Sequence, residues 1–338
     1  MVKLHEIAKL TGVSVSTVSR IINNKGNFSE ETRQKVLQAI DGLMYKPMNV
    51  LDKISNNSYT IGVYIPSTDS FINNKPSLSM DLNSLQQEIE STGNILILTT
   101  NPEKLDKTSL SYKLIEERKM DAAIVFDPFL EDETIEQLTL AQIPYIVTNG
   151  RSPDLDWNYI DYDNKKGASD VIDYLYSLGH RKIAILGGPE RHLVSINRME
   201  GCKASFKKHN LEFDKSKVFH GSFSFDNGYN SAKEMIMKCK DITAVFAFDD
   251  IIACGAMRAI NEAGLKISDD ISVVGFDDIE LSKFVAPQLT TVRRSDRAIN
   301  QIIAKLINYL ITNKSIDKIQ ISLKTELIIR DSCKNIAL

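Results

Sequence analysis

From Thr60 to its end, the chain alternates between short, almost wholly apolar runs and segments with helical periodicity. The first runs are Ile61-Gly-Val-Tyr-Ile65, Ile95-Leu-Ile-Leu98, Ala122-Ala-Ile-Val-Phe126 and Tyr145-Ile-Val147, with helical patterns at roughly 78–92, 106–119 and 131–142 between them. A second set follows: Tyr159-Ile160, Ile183-Ala-Ile-Leu186, Val218-Phe219, Ala244-Val-Phe-Ala-Phe248 and Ile271-Ser-Val-Val274. A strand with no polar alternation has to be covered on both faces, as it is in a parallel sheet between helices. Two such sets predict two doubly wound subdomains with a cleft between them. Ligands collect at the carboxyl ends of the strands in sheets of this kind.

The first 59 residues read differently. Leu4-His-Glu-Ile7-Ala8-Lys-Leu10 spaces apolar residues as a short amphipathic helix does, and Thr11-Gly12 interrupts it with a turn. Ser14 is placed to cap a second helix whose Val18, Ile21 and Ile22 share a buried stripe. That leaves Val15, Ser16, Thr17, Ser19 and Arg20 facing outward. Hydroxyls donate to phosphates and a guanidinium reaches a guanine edge bidentately, so the face suits nucleic acid; a small Ser/Thr-rich three-helix domain has the same spacing. Residues 29–44 predict a third helix, capped by Ser29, with Glu30 and Glu31 in its first turn and Val36, Ile40 and Leu43 packing inward. Residues 1–50 hold seven Lys/Arg against four acids, a balance of +3, whereas the remainder carries −6. A basic head on an acidic body fits one nucleic-acid-binding segment joined to something else.

The run Leu4 to Asn24, followed by Ser29-Glu-Glu-Thr-Arg-Gln-Lys-Val36, resembles the DNA-binding headpiece of the lactose-repressor/galactose-repressor (LacI/GalR) family. The resemblance continues through Leu178-Gly-His-Arg-Lys-Ile-Ala-Ile-Leu-Gly-Gly-Pro189, Ala253-Cys-Gly-Ala-Met-Arg-Ala-Ile260 and Val273-Val-Gly-Phe-Asp-Asp278. It implies an all-α helix-turn-helix headpiece at 1–47, a hinge or linker at 48–59, and an effector-binding and dimerisation domain at 60–338. That domain would be α/β, with two doubly wound parallel-sheet subdomains of the periplasmic-binding-protein type. The N-subdomain would take about 60–160 and 291–320, and the C-subdomain about 161–290 and 321–338. By the same resemblance Val15, Ser16 and Arg20 face base edges, and Thr17, Ser19, Asn23, Ser29 and Tyr45 touch the backbone. Ile54 matches the family's minor-groove lever, while Met48 and Asp52 depart from the family's Asn and Arg.

In the effector domain the resemblance singles out Asp163, Arg198, Phe223, Asp249 and Asp277 as effector contacts, with Phe71 from the other subdomain. Read from the residues alone, each carboxylate follows a strand and could equally cap the next helix. Asp249-Asp250 lacks a third ligand for a metal, and Gly187-Gly-Pro-Glu190 lacks dinucleotide-fingerprint spacing, so neither metal nor cofactor is expected. His5, His180, His192, His209 and His220 sit beside no nucleophile in sequence, which argues against an enzyme. The four cysteines are far apart and read as reduced, and Trp157 reads as surface packing. No signal segment opens the chain and no run approaches the ~18–20 apolar residues of a membrane span, so a cytoplasmic location is expected.

The implied function is a homodimeric repressor of carbohydrate-utilisation genes on a pseudopalindromic operator, controlled by a small sugar-like effector. Three alternatives stand beside it: a purine-type co-repressed regulator, one whose co-repressor is a protein, and an exported sugar-binding transport protein.

Overall fold

The computed structural model describes residues 4–22, 28–42, 58–66, 76–101, 105–151, 157–294, 296–313 and 318–337. It falls into two compact units, Met1–Ser58 and Tyr59–Leu338. Asn23, Tyr45, Ile54 and Phe71, with residues 48–57 of the hinge expected at 48–59, lie outside the described residues.

In the first unit, α1 (Leu4–Thr11), α2 (Val15–Ile22) and α3 (Glu30–Gly42) enclose a small core of Ile7, Ala8, Val18, Ile21 and Val36. Gly12 turns the chain with φ +69°, a conformation that costs glycine little. Ser14 caps α2 by accepting the Thr17 N–H at 3.1 Å, and Ser29 caps α3 by accepting that of Thr32 at 3.3 Å. Leu10, part of the apolar spacing, is nevertheless exposed.

The second unit holds two parallel sheets. The larger contains β1 (Thr60–Pro66), β2 (Ile95–Asn101), β3 (Ala122–Phe126), β4 (Tyr145–Thr148) and β5 (Tyr159–Tyr162), together with a late strand, β11 (Gln320–Leu323), in the order β11-β5-β4-β3-β1-β2. The smaller contains β6 (Ile183–Leu186), β7 (Val218–Phe219), β8 (Ala244–Ala247) and β9 (Ser272–Val274), ordered β7-β6-β8-β9. We refer to these as the first and second lobes. Helices α4 (Pro76–Ser91), α5 (Leu110–Glu116), α6 (Glu133–Leu140) and α11 (Asp296–Thr312) belong to the first, with α11 packed against α4. The second has α7 (Asn164–Ser177), α8 (Leu193–Lys208), α9 (Phe225–Lys238) and α10 (Asp250–Glu262). Helices α9 and α10 approach closely at Gly228, where a Cβ would stand 2.0 Å from the Ile252 carbonyl oxygen.

The chain passes between lobes three times: after β5, through β10 (Thr291–Arg293) into α11, and between β11 and β12 (Glu326–Ile328), which pairs antiparallel with β10. Three expectations are corrected. Tyr159–Tyr162 closes the first sheet by pairing with β4 and β11 rather than opening the second set. Residues 320–323 likewise belong to the first sheet, so the last return begins after Leu323. Trp157 is buried in the first lobe's apolar cluster, not on the surface. The cysteines are free thiols, with Cys202 and Cys254 buried.

Candidate functional site

On the headpiece, the hydroxyls of Ser16 and Thr17 both lie 2.8 Å from Ser14 Oγ, at the start of α2. Ser16 and Arg20 are exposed; Thr17 is half-buried. Ser19 stands on the same helix, and Ser29 is exposed while capping α3. Val15 is half-buried against the headpiece core, so it is less outward than its position suggests. The Arg20 guanidinium sits 5.4 Å from the centre of the Phe28 ring, which supports it without covering it. The face is cationic at Arg20, and α2 has no acid in its first turn.

In the second unit, a buried polar floor forms where both sheets present the carboxyl ends of their strands. Arg198, on α8, is its centre. Its Nε donates to Asn164 Oδ1 at 2.9 Å, one Nη to the Phe248 carbonyl, and the other to Asp277 Oδ1 at 3.2 Å. Its guanidinium also stacks 3.7 Å from the Phe276 ring centre. Burial pulls the Arg198 guanidinium below its ordinary value, and neighbouring Asp277 opposes that pull.

Asp277 follows β9 with φ +110° and forms a second ion pair, 3.1 Å from Arg294 Nε. The next residue, Asp278, pairs with Arg330 and with Arg293 Nε at 2.7 Å. Burial works to raise the Asp278 carboxyl, but hydrogen bonds from Arg330 and Arg293 hold it below the usual range. Asp250 accepts from the Ile279 N–H at 2.9 Å and Thr291 Oγ1 at 2.5 Å, and burial pushes its carboxyl well above the usual range.

Asp163 and Asp249 take the capping role weighed for them. Asp249 is buried and accepts the Ile252 N–H at 2.6 Å. Asp163 accepts the Lys166 N–H at 3.0 Å, stays half-exposed, and lies 4.0 Å from Arg151 Nη1. Capping uses one oxygen, so it does not by itself remove either carboxylate from ligand binding. Phe223 is buried against Gly188, where a Cβ would come within 2.3 Å of its ring. Arg198 and Asp277 are in direct contact; Asp163 is on the adjoining helix end.

Four further residues complete the floor. Asp127 and Asn149 follow β3 and β4, both buried and both at positive φ. Asp161, within β5, accepts from the N–H groups of Arg151 at 3.0 Å and Tyr162 at 2.6 Å and from Asn164 Nδ2 at 3.1 Å. Burial pushes its carboxyl up to about 6, against the pull of those amides and of Arg294. Arg294 Nη1 donates to Asn149 Oδ1 at 3.2 Å. The signal for Asp127 and Asn149 was the same polar residue after a strand that marked the second set; Arg294 was marked only by the tandem Arg293-Arg294 after Thr-Thr-Val.

Residues 3–48 match the model of the bacterial regulatory proteins of the lacI family, and 172–333 that of the periplasmic binding protein-like domain. The regulator MalR of Clostridium butyricum is 31% identical, the alignment covering 98% of this chain and 99% of MalR. This chain belongs to the LacI family. Among solved structures, a complex of the regulator CelR with cellobiose superposes with a TM-score of 0.74 at 25% identity, over 98% of this chain and 100% of CelR. The lac repressor dimer bound to operator and the anti-inducer ONPF gives 0.73 at 26%, over 98% and 99%. These LacI-family relatives are transcriptional regulators, not enzymes.

Proposed function

We propose that the protein is a homodimeric, cytoplasmic transcriptional repressor of carbohydrate-utilisation genes, with operator affinity set by a small sugar-like effector in the cleft. The observation that carries this reading is the buried Arg198–Asp277 pair, set at the strand ends of a two-lobed body whose chain also carries a helix-turn-helix headpiece. A carboxylate and a fork-shaped guanidinium fixed side by side present the acceptors and donors that vicinal hydroxyls need, and Phe223 adds a flat apolar face. Phe71, Asp163 and Asp249 join them as proposed contacts. On DNA, Val15, Ser16 and Arg20 read base edges; Thr17, Ser19, Asn23, Ser29 and Tyr45 hold the backbone, and Ile54 acts as the lever.

Dimerisation is supported by the lac repressor dimer and by exposed apolar side chains, Phe284 (74% exposed) and Leu281, at the end of the second lobe. Among the described residues, no helix is long and apolar enough to cross a membrane. The test is a thermal-shift screen of sugars, sugar phosphates and nucleobases. A true effector at about 100 times its dissociation constant stabilises by roughly 2.7 kcal/mol. A sugar among the hits supports the reading, and hits confined to nucleobases overturn it in favour of a purine-type regulator.

A further inference from the structure

The polar floor contains an arginine that touches both lobes. Arg294 leaves β10 at the second passage between them, with its side chain 2% exposed. Toward the first lobe it donates to Asn149 Oδ1 at 3.2 Å and lies over the Tyr162 ring at 5.4 Å. Toward the second lobe it pairs with Asp277 Oδ1 at 3.1 Å. The Arg198 bond falls on the same oxygen, at 3.2 Å, so both guanidiniums share Oδ1 and neither of these two bonds uses Oδ2.

We infer that Arg294 is a positioning residue of the effector cleft, clasping Asp277 to the first lobe so that its Oδ2 faces a neutral, hydroxyl-bearing ligand. Two arginines on one carboxylate more than balance its charge. A cationic ligand then gains little from Asp277, whereas a hydroxyl donor still finds an acceptor. The neighbouring pair works differently. Arg293 binds Asp278 and also Glu326 on β12, so it braces the passage, and among the described residues it pairs with no acid of the first sheet. Consecutive acids thus meet consecutive arginines, one pair inward and across the lobes, the other along the strands.

The ligand class rests on the effector reading above; the clasp does not, and the experiment separates them. Hydrogen exchange is measured on the full-length wild type, Arg294→Gln, Arg294→Lys, Arg293→Gln and Asn149→Ala, without ligand. The clasp predicts that Arg294→Gln speeds exchange about tenfold in both 145–151 and 272–278, segments contributed by different lobes, through local opening. Arg294→Lys restores part of the protection, and Arg293→Gln leaves 145–151 unchanged. If Arg294→Gln unfolds globally, Asn149→Ala decides: the clasp predicts faster exchange at 272–278, a segment with no hydrogen bond to the Asn149 side chain. Exchange altered only in the segment carrying each substitution overturns the proposal. Wild type that protects both segments here yet gives no sugar hit in the thermal-shift screen would refute the effector reading and leave the clasp standing.

Discussion

Replacing Asp277 tests the buried charge network most severely. The carboxylate is 4% exposed and its two partners, Arg198 and Arg294, are each 2% exposed. Asp277→Ala therefore removes, in one step, the ion-pair partner of two buried guanidiniums. Removing one member of a buried ion pair costs about 3–5 kcal/mol, because the surviving charge is stranded. Here two charges lose a partner at once, but Asn164, Phe248 and Asn149 still accept from them and neighbouring acids such as Asp161 remain, so the loss should sit within that range. Domains are stable by only about 5–15 kcal/mol, so the variant should be visibly compromised. Asp277→Asn keeps one carbonyl oxygen in place and should lose roughly half as much. The assay is urea unfolding followed by far-UV circular dichroism, with equal m-values required before midpoints are compared. A loss below about 1 kcal/mol for Asp277→Ala, with m unchanged, would show that neither arginine depends on Asp277 for its burial. Loss of effector response in Asp277→Ala means little unless folding is checked first.

Asp161 bears on pH. Its carboxyl is raised to about 6 in the folded state, so the folded protein holds a proton there that the unfolded chain has released above about pH 4. Stability from this group is full below about pH 4 and is lost as pH rises to about 6, roughly 2–3 kcal/mol in all. Asp161→Asn should flatten that part of the profile in chemical unfolding at stepped pH, and an unchanged slope would count against it. Arg20→Ala should cost about 1–3 kcal/mol of operator discrimination at one base pair per half-site. Thr17→Ala should instead weaken all sequences alike; salt-matched anisotropy titrations separate the two. Gly228→Ala should destabilise the second lobe by about 1–3 kcal/mol or more, since its methyl group meets backbone rather than a movable side chain. Thermal unfolding checks this, and a wild-type midpoint would show that α9 shifts freely.

Where a local rule decides structure, the residues were readable. Ser14 and Ser29 cap helices as their types and positions indicate, and the apolar runs became parallel strands in two sheets. What failed was allocation. Tyr159–Tyr162 has the same apolar character whichever sheet it joins, and its place is decided by pairing with β4 and with Gln320–Leu323, some 160 residues away in sequence. Trp157 misled because a lone aromatic near a polar loop carries no periodicity. At the cleft, the resemblance singles out Arg198 and Asp277, and the fold brings them into contact. Arg294 carries no such signal in the sequence, because a tandem of arginines after a strand usually signals solvent. Its burial depends on acids from both lobes converging on it, a three-dimensional coincidence that no spacing encodes.

In the proposed function, a small molecule in the cleft sets affinity for DNA. This control is tested most directly by titrating a fluorescent operator, selected in vitro by the wild-type protein, with and without a saturating ligand from the thermal-shift screen. Effector coupling of about 1–3 kcal/mol predicts that operator affinity changes about 5- to 150-fold. A ligand that saturates the protein and leaves operator affinity unchanged would bind both cleft conformations equally and would contradict the account.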